Sequence, residues 1–184
     1  MEQRIKVQGS LFAKHFSAHL DLVRLADGRI SERIRIQHPE AAAVVALTDP
    51  DTLVMVRQWR YAVARETLEI PAGKVDPGEA AAACACRELT EETGYRAQRM
   101  QELFSYYPAI GYSDEVIRIY AAGGLEQQAI ADNGDEISGV ELIRLDRIFD
   151  LIADGAIQDG KTVIGLALVR ERIERGELAT DFFA

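Results

Sequence analysis

The chain has 184 residues, of which 48% are hydrophobic and 28% charged, and its formal net charge is −9 at pH 7. This length fits one domain with a small accessory part, and the hydrophobic fraction is large enough to form a core. The negative charge argues against a nucleic-acid partner, and no segment reaches the roughly 18 uninterrupted apolar residues that a membrane helix needs.

Residues 1–38 have the pattern of an antiparallel β-hairpin subdomain. Two alternating stretches between Lys6 and Gln37 flank Ala26-Asp27-Gly28, and Asp-Gly in this position is a strong hairpin signal. The first residues are charged throughout and lack the apolar core of a secretory signal, so we expect no signal peptide. His38-Pro39 starts a new segment, and we place the main domain at residues 39–184.

Three further strands are predicted before the first helix. Ala41 to Leu47 is a continuous apolar run and predicts a buried strand, which the turn Asp49-Pro50-Asp51 ends. Leu53 to Gln58 and Thr67 to Ile70 are the other two.

The next segment predicts a loop followed by a helix. Prolines and glycines exclude regular structure in the loop: Pro71, Gly73, Pro77 and Gly78. The run from Glu79 to Glu92 has no proline or glycine and consists mainly of strong helix formers. Gly94 follows, where a left-handed C-cap is favoured. We therefore expect a helix of about four turns over this run.

The two cysteines of the chain lie on this predicted helix. Cys84 and Cys86 are two positions apart and point to different sides, so they cannot share a metal or form an unstrained disulfide. We expect both to pack as small apolar residues. Free thiols suit a reducing compartment, which predicts a cytoplasmic protein.

The remainder of the chain predicts three strands followed by two helices. Strands are predicted at Leu103 to Tyr107, Glu115 to Ala121 and Val140 to Leu145, and helices at Asp146 to Ala153 and Lys161 to Arg175. On the last helix we expect these residues to face the core: Val163, Leu166, Ala167, Val169 and Ile173. The order predicts an α+β fold with a mixed sheet and flanking helices.

Three glutamates on the first predicted helix share one face. Glu88, Glu91 and Glu92 are spaced i, i+3 and i+4, and such carboxylates repel one another unless a cation lies among them. Carboxylate oxygens suit Mg²⁺ or Mn²⁺, which bridge to substrate phosphates. Arg87 lies beside this face and can pair with Glu79, which would hold the loop against the helix. The alternative is a solvated glutamate face without a metal.

These residues belong to a longer pattern of fixed spacing. Its members are Gly73, Glu79, Arg87, Glu88, Leu89, Glu91, Glu92, Gly94 and Tyr95. The pattern resembles the box of the Nudix hydrolases, with an aromatic Tyr95 where an aliphatic residue is commoner. The resemblance implies an α/β/α sandwich to which the N-terminal hairpin is added.

The resemblance also implies roles for the box residues. Glu88 and Glu92 would be the main metal ligands, and Glu91 would assist at the metal and in catalysis. The backbone carbonyl of Ala72 would be a further ligand. Three residues would be structural, two of them orienting the glutamates and one shaping the backbone: Glu79, Arg87 and Gly73.

The wider order of segments resembles the ADP-ribose pyrophosphatase branch of that family. The strings that carry the resemblance are the hairpin, HPEAAAVVAL, the run that ends in EIPAGKVDPGE, and YYPAIGYSDE. It implies Mg²⁺-dependent hydrolysis of a nucleoside diphosphate sugar, with ADP-ribose giving AMP and ribose 5-phosphate, and Mn²⁺ as the other candidate metal. In that branch the N-terminal strands commonly swap between two subunits, which implies a homodimer.

Substrate contacts are expected from arginines ahead of the box. In similar enzymes the region of Arg57 and Arg60 faces the diphosphate and nucleoside, and the planar guanidinium fork suits phosphate oxygens. The alternative for at least one of them is a surface arginine. Of the acidic residues Glu66 and Glu69, we expect Glu69 to project into the site, the alternative being a charge on the strand surface.

A second group of substrate contacts follows the box. Ser113, Asp114 and Glu115 fall where the branch often contacts the terminal ribose. Similar enzymes often carry a proline at the position of Ile110, whereas this chain has Pro108. This departure leaves the identity of the sugar open.

The general base is expected from an acidic loop far from the box. The candidate loop is Asp132-Asn133-Gly134-Asp135-Glu136, within which we favour Glu136 and place Asp135 second. Glu136 would take or position the proton of the attacking water, whose pKa the metal lowers. The alternative is an ordinary solvated loop.

Two other function classes stay open at this point. One is hydrolysis of another Nudix substrate, such as GDP-mannose, a dinucleoside polyphosphate or an oxidised nucleotide. The other is a non-catalytic Nudix-like domain that senses a ligand, against which the intact set of Glu88, Glu91 and Glu92 argues. The N-terminal hairpin argues against the nucleoside-triphosphate class, whose members usually lack it.

Overall fold

A computed structural model of the protein describes residues 1–128 and 137–183, and within these ranges the chain forms ten strands and three α-helices. The strands are β1 (Gln3–Phe12), β2 (Ser17–Arg24), β3 (Ile30–Gln37), β4 (Ala41–Asp49), β5 (Thr52–Arg60), β6 (Arg65–Glu69), β7 (Ala72–Lys74), β8 (Tyr95–Tyr106), β9 (Ile117–Gln127) and β10 (Ile137–Arg144). The helices are α1 (Ala81–Thr93), α2 (Leu145–Ala153) and α3 (Gly160–Glu174), and 3₁₀ turns lie at Tyr61–Val63 and Thr180–Phe183.

The N-terminal strands form a three-stranded antiparallel sheet in the order β1-β2-β3. The sequence predicts two stretches between Lys6 and Gln37, whereas the structure has three strands, because residues 13–16 divide the first stretch into β1 and β2. All ten residues of β1 are exposed, so it lacks the half-buried alternation by which strands are usually found. The sheet meets the rest of the chain at Ile36, whose N–H donates to the carbonyl of Tyr112 at 2.7 Å.

The main sheet has the order β10-β5-β4-β9-β8, in which β4 and β9 are parallel. β4 and β5 pair only near their connecting turn, where Leu47 lies opposite Leu53. Beyond that point β6 continues along β5, and β7 pairs with residues 41–43 of β4. The sequence did not predict β7, a strand of three residues that follows Pro71. The pairing of β7 with β4 holds Gly73, the first residue of the box, against the central strand.

The helices lie on opposite faces of this sheet. α1 contributes Cys84, Ala85 and Leu89 to a buried cluster with Ala42, Val44 and Ala46 of β4. α2 and α3 contribute Ile148, Leu166 and Val169 to the cluster with Ala43, Val45 and Leu47. Successive residues of a strand point to opposite faces, so β4 is apolar throughout because both of its faces are covered. The predicted α/β/α arrangement with a mixed sheet is confirmed.

α3 approaches the sheet closely at Gly165. A Cβ atom there would lie 2.8 Å from Cγ2 of Val45, so a larger residue would push the helix away from the sheet. Four of the five predicted core-facing residues of α3 pack on the core, but Ala167 is exposed. That prediction was wrong because Ala167 lies about 100° around the helix from Leu166, outside the buried stripe.

The bounds of α1 differ from the prediction at its beginning. The helix begins at Ala81 rather than Glu79, because residues 76–79 form a turn in which the N–H of Glu79 donates to the carbonyl of Asp76 at 2.9 Å. It ends before Gly94, which takes the predicted left-handed conformation with φ 71°. Cys84 is buried as predicted, whereas Cys86 is exposed.

None of the helices in the described ranges has the length and apolar character needed to cross a membrane.

Candidate active site

Arg87 is the centre of the hydrogen-bond network around the box glutamates. Its Nε and Nη2 donate to the two carboxylate oxygens of Glu79, each at 2.9 Å. Its Nη1 donates to Oε1 of Glu88 at 2.7 Å and to Oε2 of Glu91 at 3.0 Å, and Nη2 also reaches the carbonyl of Lys74 at 3.2 Å. The arginine therefore connects the loop, β7 and α1.

This network stabilises the charged forms of its members. The hydrogen bonds from Arg87, together with one from a backbone N–H, lower the pKa of Glu79 to about 2. The pKa of Arg87 is raised, first by its bonds to Glu79. Glu79 is thus an anion at any ordinary pH, and its pairing with Arg87 is the one that the sequence predicts.

Glu88 lies against the backbone of β7. Its side chain is 14% exposed, and burial raises its pKa although Arg87 opposes that effect. A Cβ atom on Gly73 would lie 1.9 Å from Cδ and from Oε1 of Glu88. The position needs glycine because the carboxylate occupies the space that a side chain would take.

Glu92 is the most deeply placed of the three glutamates and receives neutral donors. The N–H of Ala72 donates to its Oε2 at 3.0 Å, and Nε2 of Gln58 donates to its Oε1 at 3.1 Å. Burial raises the pKa of Glu92 to about 7, against the Ala72 hydrogen bond and the opposing charges of Lys161 and Arg60. A group with these surroundings favours the approach of a cation.

Whether a divalent metal fits this site depends on the carboxylates of Glu88, Glu91 and Glu92. In the described part of the chain, no three His, Cys, Asp or Glu side chains are gathered closely enough to hold a metal ion, because Arg87 draws the carboxylates of Glu88 and Glu91 to itself. The donor set is nevertheless carboxylate oxygen, as hard divalent cations require, and the raised pKa values of Glu88 and Glu92 reflect negative charge that a cation would stabilise. The residues fit Mg²⁺ or Mn²⁺ once Glu88 and Glu91 turn from Arg87.

A second charged cluster lies beside Glu92. Arg60 donates from Nε to Oε1 of Glu69 at 2.8 Å and from Nη2 to Oε2 at 2.5 Å, and Lys161 of α3 donates to the same Oε2. The side chain of Glu69 is 3% exposed, so it is not a strand-surface charge. Burial disfavours the charged form, but the bonds from Arg60, Lys161 and Thr67 outweigh it and lower the pKa of Glu69 to about 2.

The other predicted substrate contacts have partners outside this cluster. Arg57 pairs with Glu141 of β10, and both side chains are partly exposed. The loop of Ser113 to Glu115 lies against His38, whose N–H donates to Oδ1 of Asp114 at 2.8 Å and whose Nδ1 lies 3.3 Å from Oε1 of Glu115. His38 and Asp114 line an open cavity of about 470 Å³ that also includes Phe12 and Phe16.

Glu136 and Asp135 lie outside the described residues. The chain re-enters the described part at Ile137, which pairs with Gln58, the residue that donates to Glu92. β10 therefore begins next to the box glutamates.

The chain matches the family described as NUDIX domain over residues 37–166. It belongs to the Nudix family. A methanol dehydrogenase activator of Bacillus methanolicus is 38% identical over 167 residues, which cover 90% of each chain. An ADP-ribose pyrophosphatase of Bacillus subtilis (strain 168) is 32% identical over 170 residues, 90% of this chain and 91% of that protein. The crystal structure of an ADP compounds hydrolase superposes with a TM-score of 0.77 at 26% identity, covering 95% of this chain and 96% of the other. The family prediction is confirmed.

Sequence reasoning missed several residues of this Nudix site. They are Gln58, Asp159 and Lys161. Asp159 has one usable signal, since it caps α3 by accepting the N–H of Thr162 at 3.0 Å, and Asp directly before a helical run is a recognisable helix start. Gln58 and Lys161 carry no local signal, because their contacts to Glu92 and Glu69 span distant parts of the chain.

We predict that Gly73→Ala weakens the binding of a divalent cation such as Mg²⁺ without unfolding the protein. The new Cβ meets the end of the Glu88 side chain, which can rotate away, so the free energy of unfolding should change by less than about 1 kcal/mol. The displaced carboxylate should raise the Mg²⁺ concentration for half-maximal activity by at least about tenfold. Gly9→Ala is the control, because no heavy atom lies within 4 Å of its Cβ position. Unchanged Mg²⁺ dependence in Gly73→Ala would contradict the placement of Glu88.

We predict that Glu69 stabilises the fold at neutral pH and ceases to do so in acid. Its folded pKa of about 2 lies below the ordinary 4.5, so the stabilisation is present above pH 4.5 and is lost as the pH falls toward 2. The shift corresponds to on the order of 3 kcal/mol at neutral pH. Urea unfolding of Glu69→Gln and wild type should therefore differ most at neutral pH and converge in acid. Glu174→Gln, at an exposed ion pair, should differ from wild type by less than about 1 kcal/mol throughout.

Proposed function

We propose that the chain is a Mg²⁺-dependent hydrolase of nucleoside diphosphate sugars that converts ADP-ribose to AMP and ribose 5-phosphate. The observation that carries this proposal is the set of Glu88, Glu91 and Glu92 at one end of the sheet. Arg87 holds the first two, and a charged cluster that includes Arg60 and Lys161 lies beside the third. The names of two relatives that cover nearly the whole chain support the substrate class.

The metal would be held by Glu88, Glu92 and Glu91, with the carbonyl of Ala72 as a further ligand. When bound, it supplies positive charge to the diphosphate and lowers the pKa of an attacking water. Arg87 and Gln58 orient the carboxylates, and Glu79 fixes Arg87. Mn²⁺ fits the same oxygen donors.

The substrate would extend from this end of α1 toward the loop of residues 113–115. Arg60 lies close enough to Glu92 for its charge to act on that carboxylate, and it is suited to the diphosphate. Arg57 would reach the nucleoside or diphosphate after leaving Glu141. Asp114 and Glu115 offer carboxylates that can accept from ribose hydroxyls, with Ser113 beside them, and the cavity of about 470 Å³ offers room for a base or sugar.

The attacking water needs a group that takes or positions its proton. Glu136 is our candidate, because the next residue, Ile137, pairs with Gln58 beside Glu92. Asp135 is the second candidate for this role. Glu91, whose side chain is 54% exposed on α1, would assist at the metal and in catalysis.

We further propose a cytoplasmic homodimer formed through residues 1–38, with residues 39–184 as the hydrolase domain. The three-stranded sheet supports this because it leaves large apolar side chains in solvent, among them Leu11 at 77% and Ile34 at 54% exposure.

A second candidate is activation of another enzyme. It is favoured by one observation, the 38% identity to a protein named methanol dehydrogenase activator. The two functions differ in their readout. A hydrolase forms phosphate esters from its substrate with no other protein present, whereas an activator needs a dehydrogenase in the assay.

A substrate panel tests the proposed function. With Mg²⁺ and a coupled phosphatase, the wild type should release phosphate from ADP-ribose faster than from GDP-mannose, UDP-glucose, NADH or diadenosine polyphosphates. Glu92→Gln should lower turnover by more than about 100-fold with an unchanged circular dichroism spectrum, because a neutral amide is a poor metal ligand. Glu174→Gln serves as the matched control. No release from any diphosphate by the wild type would refute the proposal.

A separate substitution tests the base. Glu136→Gln should lower kcat by about 100-fold or more and leave KM nearly unchanged, because the residue acts on the water and not on the sugar. Asp135→Asn should retain turnover. If Asp135→Asn is the slower variant, the role belongs to Asp135.

A further inference from the structure

We propose that Lys161, acting through Glu69, is a positioning residue that holds Arg60 in the orientation needed to bind the substrate diphosphate. The inference rests on the proposed function and deepens it, because it assigns α3 a part in substrate recognition. The residues concerned come from β5, β6 and α3.

Glu69 is held so that its carboxylate cannot turn. Oε1 accepts from Nε of Arg60 at 2.8 Å and from Oγ1 of Thr67 at 2.6 Å. Oε2 accepts from Nη2 of Arg60 at 2.5 Å and from Nζ of Lys161. Four donors from three directions use the whole acceptor capacity of a buried carboxylate, so its plane fixes the plane of the guanidinium bound to it.

Lys161 is itself fixed at the beginning of α3. Its side chain is 9% exposed, and Nζ also donates to Oδ2 of Asp159 at 3.0 Å. In the same turn, Oγ1 of Thr162 accepts the N–H of Ile70, the residue directly after β6, at 2.9 Å. The side chain of Lys161 therefore connects α3 to Glu69 in a fixed position. Burial of a lysine is tolerated only where its charge is paired.

Arg60 keeps donors available for an anion. Glu69 uses its Nε and Nη2, while Nη1 has no acceptor among residues 1–128 and 137–183. The side chain is 42% exposed. Arg60 lies two positions after Gln58 on β5, so both point to the same face, and Gln58 donates to Glu92. The remaining N–H groups thus lie beside the box, where a planar fork can bind phosphate oxygens.

The charges of this cluster indicate that it orients a bound anion and does not merely attract one. Arg60 and Lys161 are balanced by Glu69 and Asp159, so the four groups have no net charge. A bare positive patch would attract any anion, whereas a neutral cluster in which Arg60 keeps N–H groups available selects the geometry in which Arg60 donates. The competing explanation is that Lys161 merely fastens α3 to β6.

A double-mutant cycle separates these explanations. Arg60→Met should raise KM for ADP-ribose roughly 10- to 100-fold through loss of a charged hydrogen bond. Lys161→Met should raise KM about tenfold in the wild type and not further in Arg60→Met, because it acts through Arg60. Lys161→Arg should restore most of the affinity. Val169→Ala, a core substitution on the same helix, should lower the melting temperature and leave KM unchanged.

Binding without turnover gives a second readout. The α,β-methylene analogue of ADP-ribose, titrated calorimetrically with Mg²⁺ present, should show the same pattern of dissociation constants. If Lys161→Met does not fold, Thr67→Val removes another bond to the same carboxylate and should raise KM about threefold, again only when Arg60 is present.

The outcomes are distinct. A rise in KM from Lys161→Met that is equal with and without Arg60, or a fall in melting temperature with KM unchanged, would show a merely structural role. In that case the proposed hydrolase function would stand, because the wild type would still turn over the substrate. A wild type that hydrolyses no diphosphate in the panel would overturn both proposals.

Discussion

The cost of burying negative charge at one end of the central sheet is the constraint on which this structure depends. Glu69, Glu88 and Glu92 all lie there with little or partial exposure. Each is stabilised differently: Glu69 by two cations, Glu88 by Arg87, and Glu92 by the neutral donors Gln58 and the Ala72 N–H. The pKa values follow this order, since that of Glu69 falls to about 2 and that of Glu92 rises to about 7. The negative charge that the fold stabilises least is therefore that of Glu92, where a metal would bind.

The separation of β4 from β5 makes this arrangement possible. Once the two strands part, β6 and β7 occupy the opening and bring Glu69 and Gly73 to the same end of the sheet. α1 then approaches from one face and α3 from the other, so that carboxylates on one helix and a lysine on the other meet around β5 and β6. The α/β/α layering is thus the reason that one small site receives groups from both sides of the sheet.

Local patterns predicted the parts of this molecule that depend on local physics. The composition of residues 79–92 predicted α1, and Gly94 its end. The spacing of the glutamates predicted their common face, and the pairing of Arg87 with Glu79 followed from it. The break between β1 and β2 was missed, and so was β7, which is only three residues long. The contacts of Gln58 with Glu92 and of Lys161 with Glu69 depend on tertiary packing, which no local periodicity records.

The exposure of β1 has a consequence for how the chain opens and closes. All ten of its residues are exposed, so its order depends on side-chain contacts such as Ser10 with His19 and on backbone pairing with β2, which is interrupted at two places. Amide hydrogens of β1 should therefore exchange with solvent through local fraying at a small free-energy cost, whereas those of β4 exchange only when the whole domain opens. The molecule has a gradient of local stability that rises from its first strand to the centre of its main sheet.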